Sequence, residues 1–477
     1  MQRHPHWIAG GDRAPSDGRY FEVLDPDTDQ AFALAARGSV DDVDAAVEAA
    51  QAAFVAYSRL PVGAREAILS RAAALLERDA EEFAALMRRE IGSPIGKARN
   101  EIQRSVEMFR AAAGATRHLS GKTLPSDTPA KLNLTLRVPL GVVASITPFN
   151  VPLGKGVRLS AVPLAFGNTV VMLPSEESPL MALRLARLYA EAGLPPGCLN
   201  VVTGFGHEIG DALTGHPRVR SITFTGSTRI GAHIREIAAR SGKKLTLELG
   251  GKSPLVVLDD ADLQRAIPAA VQGSFGNQGQ ICMASSRIYV QRGIAAAFIE
   301  RFVTAARGLR MGDLSDPATT IGPIINARQR ARIAAHINDA LTKGARAECG
   351  ARWVGHRCEP TVLTGVTRDM LCFAEETFGP VTSVYTVDTF EEALALANDS
   401  RYGLSAAIFT ANLDHAMTYA LQIGSGMVHV NGSTSQAEPH VPFGGNGDSG
   451  FGREGPEYDM ESMTEWKWVS VQLRPPN

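Results

Sequence analysis

Residues 141–176 read GVVASITPFNVPLGKGVRLSAVPLAFGNTVVMLPSE. Val142–Ile146 and Thr169–Leu173 are short, apolar and rich in β-branched residues, the composition of buried strands. Between them Val157–Ala165 fits a helix. The rhythm continues downstream: strands are expected at Asn200–Val202, Ile222–Phe224 and Leu245–Leu247, and helices at Pro179–Ala192 and Thr228–Ala239. Strands alternating with helices build a parallel sheet covered on both faces, so the fold class is α/β. Ligands of such sheets bind beyond the carboxyl ends of the strands. The places to look for chemistry are therefore Thr147–Asn150, Pro174–Glu176, Gly204–Gly206 and Thr225–Ser227.

A second α/β series begins near Ser253. SPLVVLDD reads as a strand and turn, a helix spans Ala261 to Phe275, and alternation continues to about Val430. Upstream, residues 40–116 are helical in character. Ser39 can cap a helix carrying Val43, Val47, Ala50 and Phe54, and one long helix is expected from about Arg65 to Ile91, ended by Gly92-Ser93-Pro94. Residues 120–140 form an extended excursion, and Met463–Leu473 alternates as an added strand would. Two α/β domains would leave a cleft, a favoured place for a ligand.

Composition narrows the function classes. Lys plus Arg number 48 and Asp plus Glu 50, a net charge of −2, against a nucleic-acid or polybasic membrane partner. No apolar run reaches the ~18 residues of a membrane span. MQRHPHWIAGGDR lacks the apolar core of a secretion signal. The five cysteines show no close pairing, so a cytoplasmic protein with reduced thiols is expected. No cysteine pair has metal-ligand spacing and the 11 histidines are scattered, so no metal is expected.

Gly204-Phe205-Gly206 with Gly210 is spaced GxGxxxG, a near miss for the dinucleotide fingerprint, and Gly226–Gly231 lacks the lysine of a P-loop. Gly226 and Ser227 nevertheless stand where a strand hands over to a helix, and exposed N–H groups there can hold a pyrophosphate. Cys282 lies in GQICMAS, among polar and permissive residues. That is a loop or a helix entry, and a helix start would lower the thiol pKa. Cys198, Cys349, Cys358 and Cys372 lack such a setting. Glu248 interrupts an apolar strand and is followed by two glycines; a structural cap or ion pair is the plain alternative. Asn150 follows Pro148-Phe149 at a strand end, where its amide can cap a helix or donate to an oxyanion. A thiol, a carboxyl and an amide at strand–loop junctions supply a nucleophile, a base and an oxyanion donor.

Eight pieces in order carry a resemblance over essentially the whole chain: ITPFN (146–150), GNTVVMLPSE (167–176), NVVTGFG (200–206), FTGSTRIG (224–231), LELGGKSP (247–254), GQIC (279–282), EETFGP (375–380) and PFGG (442–445). The sequence resembles the NAD(P)-dependent aldehyde dehydrogenase superfamily. The resemblance implies a Rossmann-type cofactor domain (1–119 and 141–247), an α/β catalytic domain (248–430), and an oligomerisation arm with the C-terminal segment (120–140 and 431–477), in a homodimer or homotetramer. It implies Cys282 as nucleophile, Glu248 as general base, Asn150 as oxyanion donor and Glu454 in a proton path. Cofactor contacts are implied at Thr147, Phe149, Leu173, Ser175, Glu176, Gly206, Gly226, Ser227, Leu249, Glu376 and Phe378.

Two positions depart from the family pattern. Leu173 stands where a lysine usually meets the adenosine ribose or a 2′-phosphate, and Asn446-Gly447-Asp448 replaces a lysine-bearing loop. With Glu176 beside it, the first departure favours NAD over NADP. The helix after Asn150, with Arg158 and Leu159, is similar to the bacterial benzaldehyde, salicylaldehyde and vanillin dehydrogenase branch; Phe149, Phe275 and Phe443 are candidate apolar walls. A coenzyme-A-acylating enzyme is a rival that the presence of Glu248 opposes, and a catalytically idle binding protein is another that the intact Cys282, Glu248 and Asn150 oppose.

Overall fold

The computed structural model describes residues 1–473. Its first large sheet has eight strands, in the order Gly450–Phe451, Lys244–Glu248, Val219–Thr225, Val142–Thr147, Thr169–Pro174, Leu199–Val201, His6–Ile8 and Gly11–Arg13. The inner strands from Lys244–Glu248 to Leu199–Val201 are mutually parallel. Chain order reverses at Val142–Thr147, whose neighbours are the next strand on one side and a later one on the other. That reversal opens a crevice at the carboxyl ends.

Side-chain alternation sends the two faces of this sheet into different cores. Val143, Val170 and Met172 pack with Pro152–Ala165, Pro179–Glu191 and the helices Val62–Arg78, Ala80–Ile91 and Ile95–Ala115. Val142, Ala144, Val171 and Leu173 pack with Val40–Tyr57, Gly206–Gly215 and Thr228–Ser241. Pro152–Ala165 is buried at every one of its 14 residues, because it lies between the sheet and the outer helices.

The second sheet has seven strands: Arg346–Cys349, Thr361–Thr364, Val381–Val387, Ser285–Gln291, Ser253–Val257, Ser405–Phe409 and Met427–Val430. All are parallel except the first. A separate sheet joins Thr464–Gln472 to Lys131–Pro139 in unbroken antiparallel register from Thr464↔Pro139 to Gln472↔Lys131, with Thr123–Leu124 beyond. Residues 431–463 do not share that sheet: Gly450–Phe451 pairs with Leu247–Glu248, and Asn446–Gly447 with Tyr402–Gly403. Among the described residues no helix is long and apolar enough to cross a membrane.

Ser39 caps Val40–Tyr57 in a reciprocal box with Asp42, as expected. The single helix expected over 65–91 is two. Asp79 leaves helical geometry (φ −95°, ψ 15°) and joins Val62–Arg78 to Ala80–Ile91. Periodicity survives such a one-residue break, so the pattern hid it. The helix after Asn150 begins at Pro152, not Val157, and proline at the first turn suits it. Gly206–Gly215 was not read as a helix.

Candidate active site

Glu248 ends its strand in the first sheet, and Cys282 lies in the turn just before Ser285–Gln291 in the second. The two glycines after Glu248 let these pieces meet. A Cβ on Gly251 would collide with the Cys282 carbonyl, and one on Gly250 would lie 2.6 Å from Glu376 Oε2. Gly251 donates its N–H to Glu376 Oε1 at 3.0 Å.

The turn before Cys282 is strained. Asn277 (φ 51°), Gln278 (φ 55°) and Gly279 (φ 65°) are consecutive left-handed residues. Each non-glycine residue there costs roughly 1–2 kcal/mol. Hydrogen bonds hold the shape: Asn277 Nδ2 donates to the carbonyls of Asn150 and Gln280 at 3.1 Å each, and Ile325 N–H donates to Gln280 Oε1 at 3.2 Å. Of the two expected settings, a loop or a helix entry, Cys282 has the loop: no helix starts there to lower the thiol, and burial pushes it up to about 12. Lys155 acts in the opposite direction, favouring thiolate.

Asn150 Nδ2 donates to the Gln280 carbonyl at 2.9 Å, so the amide is aimed at the cysteine loop. Glu248 is 1% exposed and, among the described residues, neither carboxyl oxygen has a hydrogen-bond partner. Burial first, then the charge of Glu454, holds this carboxyl well above the usual range; Lys155, Arg158 and Arg453 pull it down. Burial without partners favours the protonated form of such a carboxyl and leaves its oxygens free to take up a new partner.

Glu454 is also buried. Lys155 Nζ donates to both its oxygens at 2.7 Å, and Arg158 Nε stands 2.9 Å from Oε2, close enough for an ion pair but off the hydrogen-bonding axis. Both cations lie over the Phe443 ring, 4.8 Å and 5.3 Å from its centroid. Phe443 belongs to a small apolar cluster with Met283, Leu404 and Met427, against which Cys282 packs. Phe275 is no wall: it stacks on Phe302 in the core. Phe149 meets Phe378 edge to face, with centroids 5.9 Å apart.

The remaining expected positions line the strand ends. Thr147 accepts the N–H of Ser175 on its carbonyl, and Ser175 Oγ accepts from Glu177 N–H. Glu176 is half-buried and makes no hydrogen bond or ion pair among the described residues. Leu173, 2% exposed, is a core residue. Leu249 is buried against Gly231. Gly206 begins one helix and Ser227 precedes another, and neither helix has a side-chain cap on its first N–H groups. Two uncapped helix starts at strand ends, one beside Gly226, fit the pyrophosphate of a nicotinamide dinucleotide. Lys155, Arg158 and Asn277 were missed as site residues. Two cations in a wholly buried helix were a legible signal for the first two.

This fold and site define a dehydrogenase with a nicotinamide dinucleotide cofactor, built around a cysteine in an apolar recess. The Aldehyde dehydrogenase family matches residues 13–469, and the chain belongs to it. It is an oxidoreductase that converts an aldehyde to an acid. It is 41% identical to the vanillin dehydrogenase of Pseudomonas sp. (strain HR199 / DSM 7063) over 478 residues, 99% of this chain and 98% of that one. Among solved structures, a salicylaldehyde dehydrogenase from Pseudomonas putida G7 complexed with salicylaldehyde aligns with TM-score 0.96 and 37% identity, covering 100% and 99% of the two chains. An NAD-dependent aldehyde dehydrogenase from Sinorhizobium meliloti aligns with TM-score 0.96 and 36% identity over 100% and 96%. An E. coli NADP dependent enzyme aligns with TM-score 0.96 and 35% identity over 99% and 98%.

Proposed function

We propose that this enzyme oxidises an aromatic aldehyde, with NAD in preference to NADP, through Cys282, Glu248, Asn150 and Glu454. The observation that carries the reading is the convergence of the Cys282 thiol, the Asn150 amide on its loop and the unpartnered Glu248 carboxyl. Aromatic substrates are favoured by the apolar cluster around Phe443 and by the vanillin and salicylaldehyde dehydrogenases among the relatives.

A thiol raised to about 12 does not ionise alone at neutral pH. Its proton goes to a base as sulfur attacks the carbonyl carbon, and ionised Glu248 is the base at hand. The new C–S bond leaves an alkoxide. Asn150 Nδ2–H and the Cys282 N–H receive it; losing one such donor typically costs ~10²–10³ in rate. The nicotinamide, when bound, supplies the hydride acceptor. Cys282 then carries an acyl group as a thioester. Glu454 relays the thiol's proton away from Glu248, which is then ionised again. Glu248 takes a proton from water as the hydroxyl oxygen bonds to the acyl carbon, and the C–S bond breaks with Glu248 handing that proton to the departing sulfur, so that the thiol returns and the acid is released.

The cofactor contacts of this reading are Thr147, Phe149, Ser175, Glu176, Gly206, Gly226, Ser227, Leu249, Glu376 and Phe378; the side chain of Leu173, expected among them, lies in the core instead. Glu176 accepts from ribose hydroxyls and repels a 2′-phosphate. The division into a cofactor domain (1–119, 141–247), a catalytic domain (248–430) and an arm (120–140 and 431–477) is part of the same reading, with Gly450–Phe451 returning to the first sheet. Exposed Trp466 and Trp468 on the arm support its burial in a homodimer or homotetramer. A cytoplasmic setting suits the five free thiols.

The test is a panel of aldehydes with the purified enzyme, following NADH. Benzaldehyde-type substrates should exceed acetaldehyde and betaine aldehyde in kcat/KM, and Cys282→Ala should abolish oxidation while retaining NAD binding. Preference for a short aliphatic aldehyde overturns the substrate reading; Cys282→Ala turnover within tenfold of the parent overturns the nucleophile.

A further inference from the structure

Glu454 is seated by the backbone on both sides. Its N–H donates to Phe443 O at 2.8 Å and its carbonyl accepts from Phe443 N–H at 2.9 Å. The next residue, Gly455, donates its N–H to Asp459 Oδ2 at 2.9 Å and accepts from Asp459 N–H at 2.8 Å. Asp459 thus closes the turn that begins at Glu454. It is 4% exposed, and among the described residues no cation donates a hydrogen bond to its carboxyl. A buried acid is a costly way to satisfy one N–H group, which a neutral oxygen would satisfy as well.

The charges facing it give the acid a purpose. They are Glu454 in the same turn, and Arg158 and Lys155 on Pro152–Ala165. Lys244, on the packed strand Lys244–Glu248, is engaged elsewhere: it donates to the carbonyls of Glu461 and Thr464 and pairs with Glu465. Arg137, on Lys131–Pro139, is paired with Glu461. Lys155 and Arg158 are two buried cations; Glu454 is the anion ion-paired with both, while Glu248, which feels the same two cations, has its carboxyl held raised and is paired with neither. One carboxylate neutralises one of the two. Asp459 is the further acid in the same enclosure.

We propose that Asp459 is a positioning residue acting through Glu454: it clamps the Gly455 turn that seats Glu454 between Lys155 and Arg158, and its carboxylate balances the second cation. The proposal rests on Glu454 serving the proton path. Burial and the charge of Glu454 push the Asp459 carboxyl up to about 7, so its charge changes within the working range. With Asp459 neutral, the cluster beside Glu248 is more positive, Glu248 is more acidic, and the base is weaker.

The experiment compares Asp459→Ala, Asp459→Asn and Glu454→Gln as full-length enzyme with NAD and benzaldehyde. It records kcat, KM, the pH profile of kcat and the melting temperature. Asp459→Ala should lower kcat about tenfold with KM for benzaldehyde within twofold. Asp459→Asn keeps an acceptor for Gly455 N–H, so it should restore most of kcat at pH 8. Its acid limb should move to lower pH by about half a unit or more. If Asp459→Ala keeps parental kcat and pH limb while Glu454→Gln is impaired, the proposal falls alone. If both Asp459 variants melt early yet turn over normally per folded enzyme, the role is structural and the proposal is wrong. If Glu454→Gln turns over normally, the Glu454 reading fails and this proposal fails with it.

Discussion

Lys97 Nζ donates to the main-chain carbonyl of Asn150 across 2.9 Å, and the same amine binds Glu101 Oε2 at 2.6 Å. Glu101 in turn accepts the Leu153 and Gly154 N–H groups at 3.0 Å each, at the start of the helix that carries Lys155 and Arg158. One ion pair from the outer helical layer therefore fixes both the backbone of the oxyanion amide and the helix beside it. Removing the amine leaves the Asn150 carbonyl with the single bond from Asn277 and leaves Glu101 buried without its cation. Lys97→Met should lower kcat/KM for aldehyde about tenfold, roughly 1.4 kcal/mol of transition-state stabilisation, with the Kd for NAD unchanged. Parental kcat/KM in a normally folded Lys97→Met enzyme would show that Asn277 alone holds the carbonyl.

Glu248→Gln separates the two halves of the reaction. An amide cannot take the proton of water, so the acyl group should stay on Cys282. Rapid mixing should give a burst of NADH followed by a steady rate at least ~10²-fold slower, the scale of general-base assistance. In the parent, kcat should rise from pH 6 toward pH 9, because burial holds the Glu248 carboxyl well above the usual range and only its ionised form is a base. A flat profile over that interval with hydrolysis still limiting would remove Glu248 from the role.

The parallel strands and the places where chemistry belongs were legible because apolar runs of strand length, punctuated by Gly and Pro, repeat from Val142 onward. Cys282, Glu248 and Asn150 were legible as polar residues interrupting that rhythm. Asp79 was not, since one non-helical residue leaves the apolar period of its neighbours intact. The site's supporting charges were harder still: Lys97 and Glu101 sit four apart on a helix and read as an ordinary exposed pair, and only the tertiary fold brings Asn150 to them. The low thiol pKa expected of Cys282 also failed for a tertiary reason. The preceding helix ends at Phe275, the left-handed turn at Asn277–Gly279 starts no new one, and burial then raises the thiol.

His336 offers a test of how burial governs stability. It is 3% exposed, Nδ1 lies 3.0 Å from Thr377 Oγ1, and burial, then Arg332, lowers its pKa to about 4. The unfolded chain protonates this imidazole near 6.5 and the folded chain resists until about 4. The unfolded state therefore binds more protons in that window, and stability falls as pH drops through it, by about 1–3 kcal/mol for this group. Glu90 and Asp459, raised to about 8 and about 7, run the other way: the folded state holds their protons longer, so they lose stability as pH rises. Only a difference isolates His336. Between pH 6.5 and 4.5, His336→Gln should lose less unfolding free energy in urea than the parent. Equal losses would mean that the folded protein protonates His336 as readily as the unfolded chain does.

Leu173 concentrates the question of cofactor choice. Its side chain faces the core with Val43, Val47, Val171 and Val202 and presents no donor at the end of the Thr169–Pro174 strand. The arginines on the following helix are committed elsewhere: Arg184 to Asp79 and Glu82, Arg187 to Asp12. Half-buried Glu176 is left facing the strand end without a cation. A 2′-phosphate brought there would meet a carboxylate and a leucine, and desolvating it without a partner is costly. Two neutral ribose hydroxyls can donate to Glu176. NAD should therefore give the higher kcat/KM. In Leu173→Lys the four-carbon stem can lie along the apolar residues while the amine reaches the strand end. That amine should lower KM for both cofactors, NADP more than NAD, and narrow the preference by about tenfold. The exchange also removes a buried branched side chain, so the melting temperature should fall. Steady-state kinetics with each cofactor, on parent and variant, decide the matter. A parent enzyme faster with NADP would mean that a cation outside this cluster meets the phosphate. A variant with unchanged KM for both would mean that position 173 lies too deep for its side chain to touch the cofactor.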